Sequence, residues 1–354
     1  MGEARGNDKR ADVIRHIVSG IRDGRLGAGE RLAPERQLAT ELGTTSLTVG
    51  RAMRELALAG LIERRVGSGS FITERGARLL QRTTVNVFSP PGDVEPLREF
   101  RELSAALIRE CGWEPNPVEV HAATVGVAAA CVRLFPWSLA INGQFVAAPP
   151  FRRAVTRFSR LSILVGALDS SVFDVVIRAD DSVAVRAAVA HLRALGCASI
   201  GLIAEPPDNS IHELLIALWR STQPLSEVFS DARLITIPPN APVSQCVARR
   251  LRSASFPVDG LVCPLKWFAE VRRAYDRRKV RLVPSVALAR AGNVPGAADA
   301  ACLSGVVAND LERHVRTAVE LFRRYEETEQ LPRPGQRMHL VPPRFQAYPG
   351  RAVG

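Results

Sequence analysis

Residues 29–73 read GERLAPERQLATELGTTSLTVGRAMRELALAGLIERRVGSGSFIT. Pro34 and Glu35 suit the start of a short helix, because proline has no amide hydrogen to leave orphaned and an acidic side chain favours the positive end of the helix dipole. Gly43 closes that helix, and Thr44, Thr45 or Ser46 can cap the next one. Its Val49, Ala52, Met53 and Leu56 recur at helical spacing and form an apolar face. Gly60 stops this helix. Leu61 to Val66 and the run from Gly67 to Thr73 then read as two short strands around a Gly/Ser turn. Upstream, Val13, Ile14, Ile17, Val18 and Ile21 line one face of an amphipathic helix that Gly24 and Gly27 end.

Three helices followed by a β-hairpin make a winged helix-turn-helix. Such units lay the second helix of the pair in the major groove of DNA, where side chains near its N-terminus reach base edges and flanking groups hold phosphates. The run also resembles the DNA-binding domain of the GntR family, over roughly residues 8 to 74. By that resemblance Arg36 corresponds to the arginine that holds DNA from the second helix, and Gly67 and Gly69 to the wing-tip glycines. The family often has arginine where this chain has Ser46 and Gly50, so Thr44, Thr45, Thr48 and Arg51 become the compensating candidates, with Ser46 and Ser68 beside them. The alternative use of a winged helix is as a protein-interaction or structural module. Gly67-Ser68-Gly69-Ser70 lacks the following Lys-Ser/Thr and helix of a phosphate-binding loop.

A chain of 354 residues has room for two or three domains, and its 46% hydrophobic and 23% charged content is that of a folded globular protein. The formal charge of +11 permits a polyanionic partner without locating one: residues 1–75 carry 13 basic and 10 acidic side chains, and Lys9, Lys266 and Lys279 are the only lysines among 47 basic residues. Cys111, Cys131, Cys197, Cys246, Cys263 and Cys302 show neither CxxC pairs nor histidines at metal-ligand spacing, so free thiols in a reducing cytoplasm are expected, and no metal or cofactor. The N-terminus has no apolar signal core, and residues 118–151 are interrupted by His121, Arg133, Pro136 and Asn142, which argues against a membrane span.

Residues 76–84 read as a linker or linker helix. Beyond them short apolar runs at Val85–Phe88, Ser138–Ile141, Leu161–Val165, Ile200–Ile203, Leu234–Ile237, Gly260–Cys263 and Val286–Ala289 alternate with helical patterns, indicating α/β layering. The clearest segment runs from strand Val175–Ala179 through a helix, Ser182 to Leu195, to strand Ser199–Ile203. It is expected to be a strand-helix-strand unit with a right-handed crossover, Asp180-Asp181 capping the helix. Its sequence DDSVAVRAAVAHLRALGCASIGLI resembles the LacI/GalR type of periplasmic-binding-protein-like sensor, and the later runs at 257–263, 283–288 and 331–345 fall in the order of such sensors.

The resemblance implies a parallel-sheet α/β sensor of two lobes over residues 85–346, with a ligand cleft, a role in dimerisation and a tail at 347–354. Where the family carries a sugar-contacting Asp, this chain has Lys266, and a second such Asp falls near Gly292. Lys266 could meet an anionic effector, form an internal salt bridge or stand free, while Trp267 and Trp219 could stack on a ligand or pack into the core. The function implied is a non-enzymatic transcription regulator, a repressor binding a pseudo-palindromic operator in double-stranded DNA as a homodimer under control of a small molecule such as a sugar or anionic sugar derivative. One alternative makes the sensor a ligand-free dimerisation scaffold. Another is a pyridoxal-phosphate enzyme fused to a winged helix, for which Lys266 and Lys279 are the candidate lysines.

Overall fold

The computed structural model describes residues 2–166, 171–206, 210–224, 230–252, 258–289, 295–333 and 337–348. The opening segment comprises α1 (Gly2–Arg22), α2 (Glu35–Glu41), α3 (Ser46–Leu58), the hairpin β1 (Ile62–Arg65) and β2 (Gly69–Ile72), and α4 (Glu74–Gln81). Val13, Ile17 and Ile21 of α1 are buried in one cluster with Val49, Ala52, Met53 and Leu56 of α3 and with Ile62 and Ile72 of the hairpin. The apolar spacing in the sequence is therefore the core of the three-helix head.

An α/β layer follows: β3 (Thr84–Ser89), α5 (Glu95–Glu110), β4 (Glu114–Glu119), α6 (Val125–Leu134), β5 (Trp137–Ile141), α7 (Pro149–Phe158), β6 (Leu161–Val165) and β7 (Val175–Ala179). A second layer is built from α8 (Asp181–Ala194), β8 (Ile200–Ala204), α9 (Ser210–Arg220), β9 (Leu234–Thr236), α10 (Val243–Arg250), β10 (Gly260–Pro264), α11 (Leu265–Arg278), β11 (Ser285–Ala289), α12 (Ala297–Ala300) and β12 (Gly305–Ala308). The described residues end with α13 (Leu311–Thr328), β13 (Met338–Val341) and β14 (Arg344–Ala347). Among the described residues the sheet orders are β13-β7-β6-β5-β3-β4 and β14-β12-β11-β10-β8-β9. The pairs from β4 to β7 and from β9 to β12 are parallel, and β14 is antiparallel to β12. Strands such as Leu161–Val165 are buried at every position, as parallel strands covered on both faces must be.

Two compact units result. One spans Met1–Ile177 with Val315–Met338, the other Arg178–His314 with His339–Gly354, so the chain passes between them three times. This corrects two expectations. β7 and β8 lie in different sheets, so the segment around α8 carries the chain from one unit to the other and is no crossover within a sheet. Its local chemistry is as read: Asp180 Oδ1 accepts from the amides of Ser182 and Val183 at 3.1 Å, and Gly196 ends the helix with φ +89°.

Residues 76–84 are also no break in packing, because α4 buries Gly76, Ala77, Leu79 and Leu80 and the head shares its unit with the first α/β layer. The expected tail overlaps β14 at Ala347, which pairs with Gly305, and residues 349–354 lie outside the described residues.

β4, Glu114–Glu119, escapes a propensity reading because of Pro115 and Pro117. It is an edge strand whose Glu114 and Val120 amides donate to Thr83 O and Ser89 O at 2.8 Å. Successive residues of a strand turn their amides to opposite sides, so both prolines present their missing N–H to the open edge, where no ladder bond is lost.

Candidate nucleic-acid interface

α3 begins on Thr45, whose Oγ1 accepts from the Thr48 amide at 3.2 Å and lies 3.0 Å from Thr48 Oγ1. Two of the threonines expected to face DNA therefore serve the helix start, leaving one free hydroxyl hydrogen between them. Ser46 and Arg51 are exposed and Thr44 is half-buried. Arg36 on α2 is exposed, and neither Arg36 nor Arg51 has a carboxylate partner among the described residues. Arg54 turns back along α3, its Nε donating to Gly50 O at 3.4 Å.

The wing sits beside this helix. Arg65 pairs with Gly69 across the hairpin, and Gly67 (φ +74°) and Gly69 (φ +113°) hold backbone conformations that side chains with a Cβ avoid. Gly69 is fixed a second way: a Cβ there would come within 2.8 Å of Arg31 Nε. Ser68 and Val66 are exposed near the tip. Arg31, Glu35, Arg64, Arg65, Gly67 and Gly69 line a groove of about 480 Å³ between wing and α2. Glu35 binds Arg64 at 2.7 Å and leans over Gly50, where a Cβ would lie 3.1 Å from Glu35 Oε2. A hydrogen bond from Arg65 to Glu63 pushes the Arg65 guanidinium pKa upward. Arg65 also covers Phe71 at 4.7 Å from the ring centroid.

Arg31, Leu47, Arg54 and Arg64 belong to this surface and were not among the sequence candidates. Leu47 was open to detection: it lies across α3 from the buried Val49, Ala52, Met53 and Leu56, and it is 62% exposed. Arg64 and Arg31 acquire their place only through the hairpin.

Behind α3 the head is tied to the first α/β layer by charged and polar groups. Glu55, 5% exposed, receives Arg133 of α6 and lies 3.7 Å from Arg10. From α4, Arg78 meets Glu114 at 2.9 Å, and Arg75 donates to Asn116, whose Nδ2 donates to Asn86 Oδ1 at 2.9 Å. Asn86 in turn donates to Phe135 O at 2.7 Å. A chain of hydrogen bonds thus runs from the helix after the wing into the buried strands.

In the second unit, Lys266 opens α11 directly after β10, and Glu205 follows the neighbouring strand β8. Their charges meet at 2.7 Å, and the ammonium lies 4.6 Å from the centroid of Trp267. Both groups stand at the C-terminal ends of parallel strands, the edge at which open α/β sheets take ligands. Trp219 is a correction. It lies at the far end of α9, which runs back from the β8 C-terminus, and is 1% exposed in a cluster with Cys197 and Val189. It is packed in the core. Gly292 lies outside the described residues. Lys279 is an exposed helix C-cap with φ 52°. The cysteines are free, and among the described residues no group of three or more His, Cys, Asp or Glu could hold a metal and no helix is long and apolar enough to cross a membrane.

The fold and this surface define a winged helix-turn-helix head followed by an α/β body with two largely parallel sheets. Residues 9–72 match the family described as bacterial regulatory proteins, gntR family. Over 60 residues the chain is 45% identical to the HTH-type transcriptional regulator SmoD of Agrobacterium fabrum, a match covering 17% of this chain and 26% of that protein. The match therefore spans about a quarter of that relative's length. The body is similar in fold to a LacI family transcriptional regulator from Arthrobacter sp. FB24 in complex with lactose (TM-score 0.57, 18% identity, 75% of this chain and 98% of that one). It is similar also to the lac repressor dimer bound to operator and an anti-inducer (TM-score 0.54, 15% identity, 79% and 99%). The N-terminal segment is thus a GntR-type helix-turn-helix domain, and the rest has the fold of LacI-type sensors.

Proposed function

We propose that this chain is a cytoplasmic, non-enzymatic transcription regulator that binds operator DNA as a homodimer, represses by occupying it, and is controlled by a small molecule bound to its α/β body. The observation that carries the DNA-binding reading is the outer face of the head: Arg36 and Arg51 stand exposed and, among the described residues, unpaired by carboxylates, on either side of a capped helix start and next to a glycine-tipped wing. Two such heads in a symmetric dimer would meet two half-sites. Repression and dimerisation are supported by the likeness to a repressor dimer held on its operator. An effector can shift such a protein only by binding its two states unequally.

Arg36→Ala is expected to weaken duplex binding about tenfold and to reduce the magnitude of the salt slope by about one per protomer, if that guanidinium neutralises a phosphate. Titrations at several salt concentrations measure both. An unchanged slope would reject the role.

For the effector, Lys266 and Trp267 stay the candidate contacts. Because Glu205 already neutralises Lys266, an uncharged polyol that offers hydroxyls to both fits better than an anion. Thermal-shift measurements with neutral sugars and sugar acids test this: a ligand at 100 times its Kd stabilises the native state by about 2.7 kcal/mol, and the larger shifts are expected from neutral sugars. The same Lys266–Glu205 pair favours a second reading, in which the body is a ligand-free dimerisation scaffold; no shift across the panel would select it. The pyridoxal-phosphate reading gains no support, since Lys266 is engaged by Glu205 and Lys279 is an exposed helix end.

A further inference from the structure

Three groups project from the first two turns of α3 with no side-chain hydrogen bond or ion pair among the described residues: Ser46, Leu47 and Arg51. Thr45 and Thr48 are bonded to one another, Gly50 offers no side chain, and Arg54 is bent onto the Gly50 carbonyl. No guanidinium is rooted at position 46 or 50 to form the paired hydrogen bonds by which arginine reads guanine. The largest apolar group on this face is Leu47, 62% exposed and diametrically opposite the buried stripe. Side chains on a helix lean toward its N-terminus, so the neighbours able to cover it lie three and four residues on; Gly50 has no side chain, and with Arg51 in place Leu47 is still 62% exposed. Apolar surface held in water gains free energy when another apolar group covers it, and the C5-methyl of thymine is the apolar group that base edges present in the major groove.

We propose that Leu47 is a specificity-determining residue that reads thymine, packing its methyl groups against thymine C5-methyls in each operator half-site. This rests on the duplex-binding reading above and adds a sequence preference to it. Readout by α3 is then a mixture of one apolar contact and the charge of Arg51, where arginines at 46 and 50 would give an all-polar one.

The test uses the full chain and the duplex it binds best after selection from random DNA. Each thymine of a half-site is replaced by deoxyuracil, which removes the C5-methyl and leaves base pairing intact. Burial of one methyl predicts about a fourfold loss of affinity per contacted thymine, and about 15-fold for two symmetric half-sites. Leu47→Ala should bind thymine and uracil duplexes alike. Leu58→Ala, another exposed leucine about 16 Å further along the same helix, should discriminate as the unaltered protein does. Duplex binding indifferent to uracil, discrimination that survives Leu47→Ala, or a selected half-site without thymine each overturns this inference alone. Absence of any duplex binding overturns the DNA-binding reading and the inference with it.

Discussion

Replacing Arg133 by alanine is expected to destabilise the protein by about 3 kcal/mol and to loosen the head from the first α/β layer. Glu55 is buried where α3 packs on α6, at 5% exposure, and its carboxylate is held by Arg133 and by the longer 3.7 Å contact to Arg10. Removing one partner of a buried pair leaves a desolvated charge and costs about 3–5 kcal/mol. The low end applies because Arg10 remains and because the Arg133 side chain is 27% exposed. Replacing both groups by neutral ones, as in Glu55→Gln with Arg133→Met, removes the stranded charge and should restore most of the loss. Urea unfolding measures the stabilities, and hydrogen exchange of the α3 and α6 amides reports the loosening. A change below about 0.5 kcal/mol in Arg133→Ala would place this pair with ordinary surface salt bridges.

Gly76→Ala should be as damaging for a different reason. A Cβ at Gly76 would run into the carbonyl oxygen, Cα and carbonyl carbon of Leu61, all main-chain atoms. That backbone cannot step aside: the Leu61 amide donates to Leu56 O at 2.9 Å, and its carbonyl accepts from the Thr73 amide at 3.0 Å. Overpacking against immovable atoms costs about 3 kcal/mol. α4 would have to lift from the head, straining the contacts of its own Arg75 and Arg78. Gly126→Ala on α6, where a Cβ meets nothing within 4 Å, is the control and should be neutral or stabilising by up to about 1 kcal/mol. Equal melting temperatures for the two variants would show that α4 does not rest on the head as described.

Both effects depend on contacts that sequence reading does not reach. The helix-turn-helix is legible because its information is local: caps at Thr45, stops at Gly43 and Gly60, and an apolar face at Val49, Ala52, Met53 and Leu56, all within one short run. The pairing of Glu55 with Arg133 joins positions 78 residues apart, and in the sequence each looks like a solvated charge. The strand after Asp174 and the strand after Ser199 carry the same apolar signature whether or not they share a sheet, so their separation into two units is invisible until the pairings are known. Trp219 and Trp267 likewise look equivalent as aromatic residues. Their difference lies in which end of a helix each occupies relative to the strand before it. Leu47 stands apart: its exposure follows from periodicity alone, and it is overlooked when only polar residues are taken to face DNA.

The most direct measurement of the central claim is selection of genomic duplex fragments by the purified full chain at low salt, followed by sequencing. The account predicts enrichment of sites with two inverted half-sites about one helical turn apart or a multiple of it, competed by unlabelled site and not by unrelated DNA. Recovery of no enriched duplex, with the protein folded by circular dichroism, would contradict it.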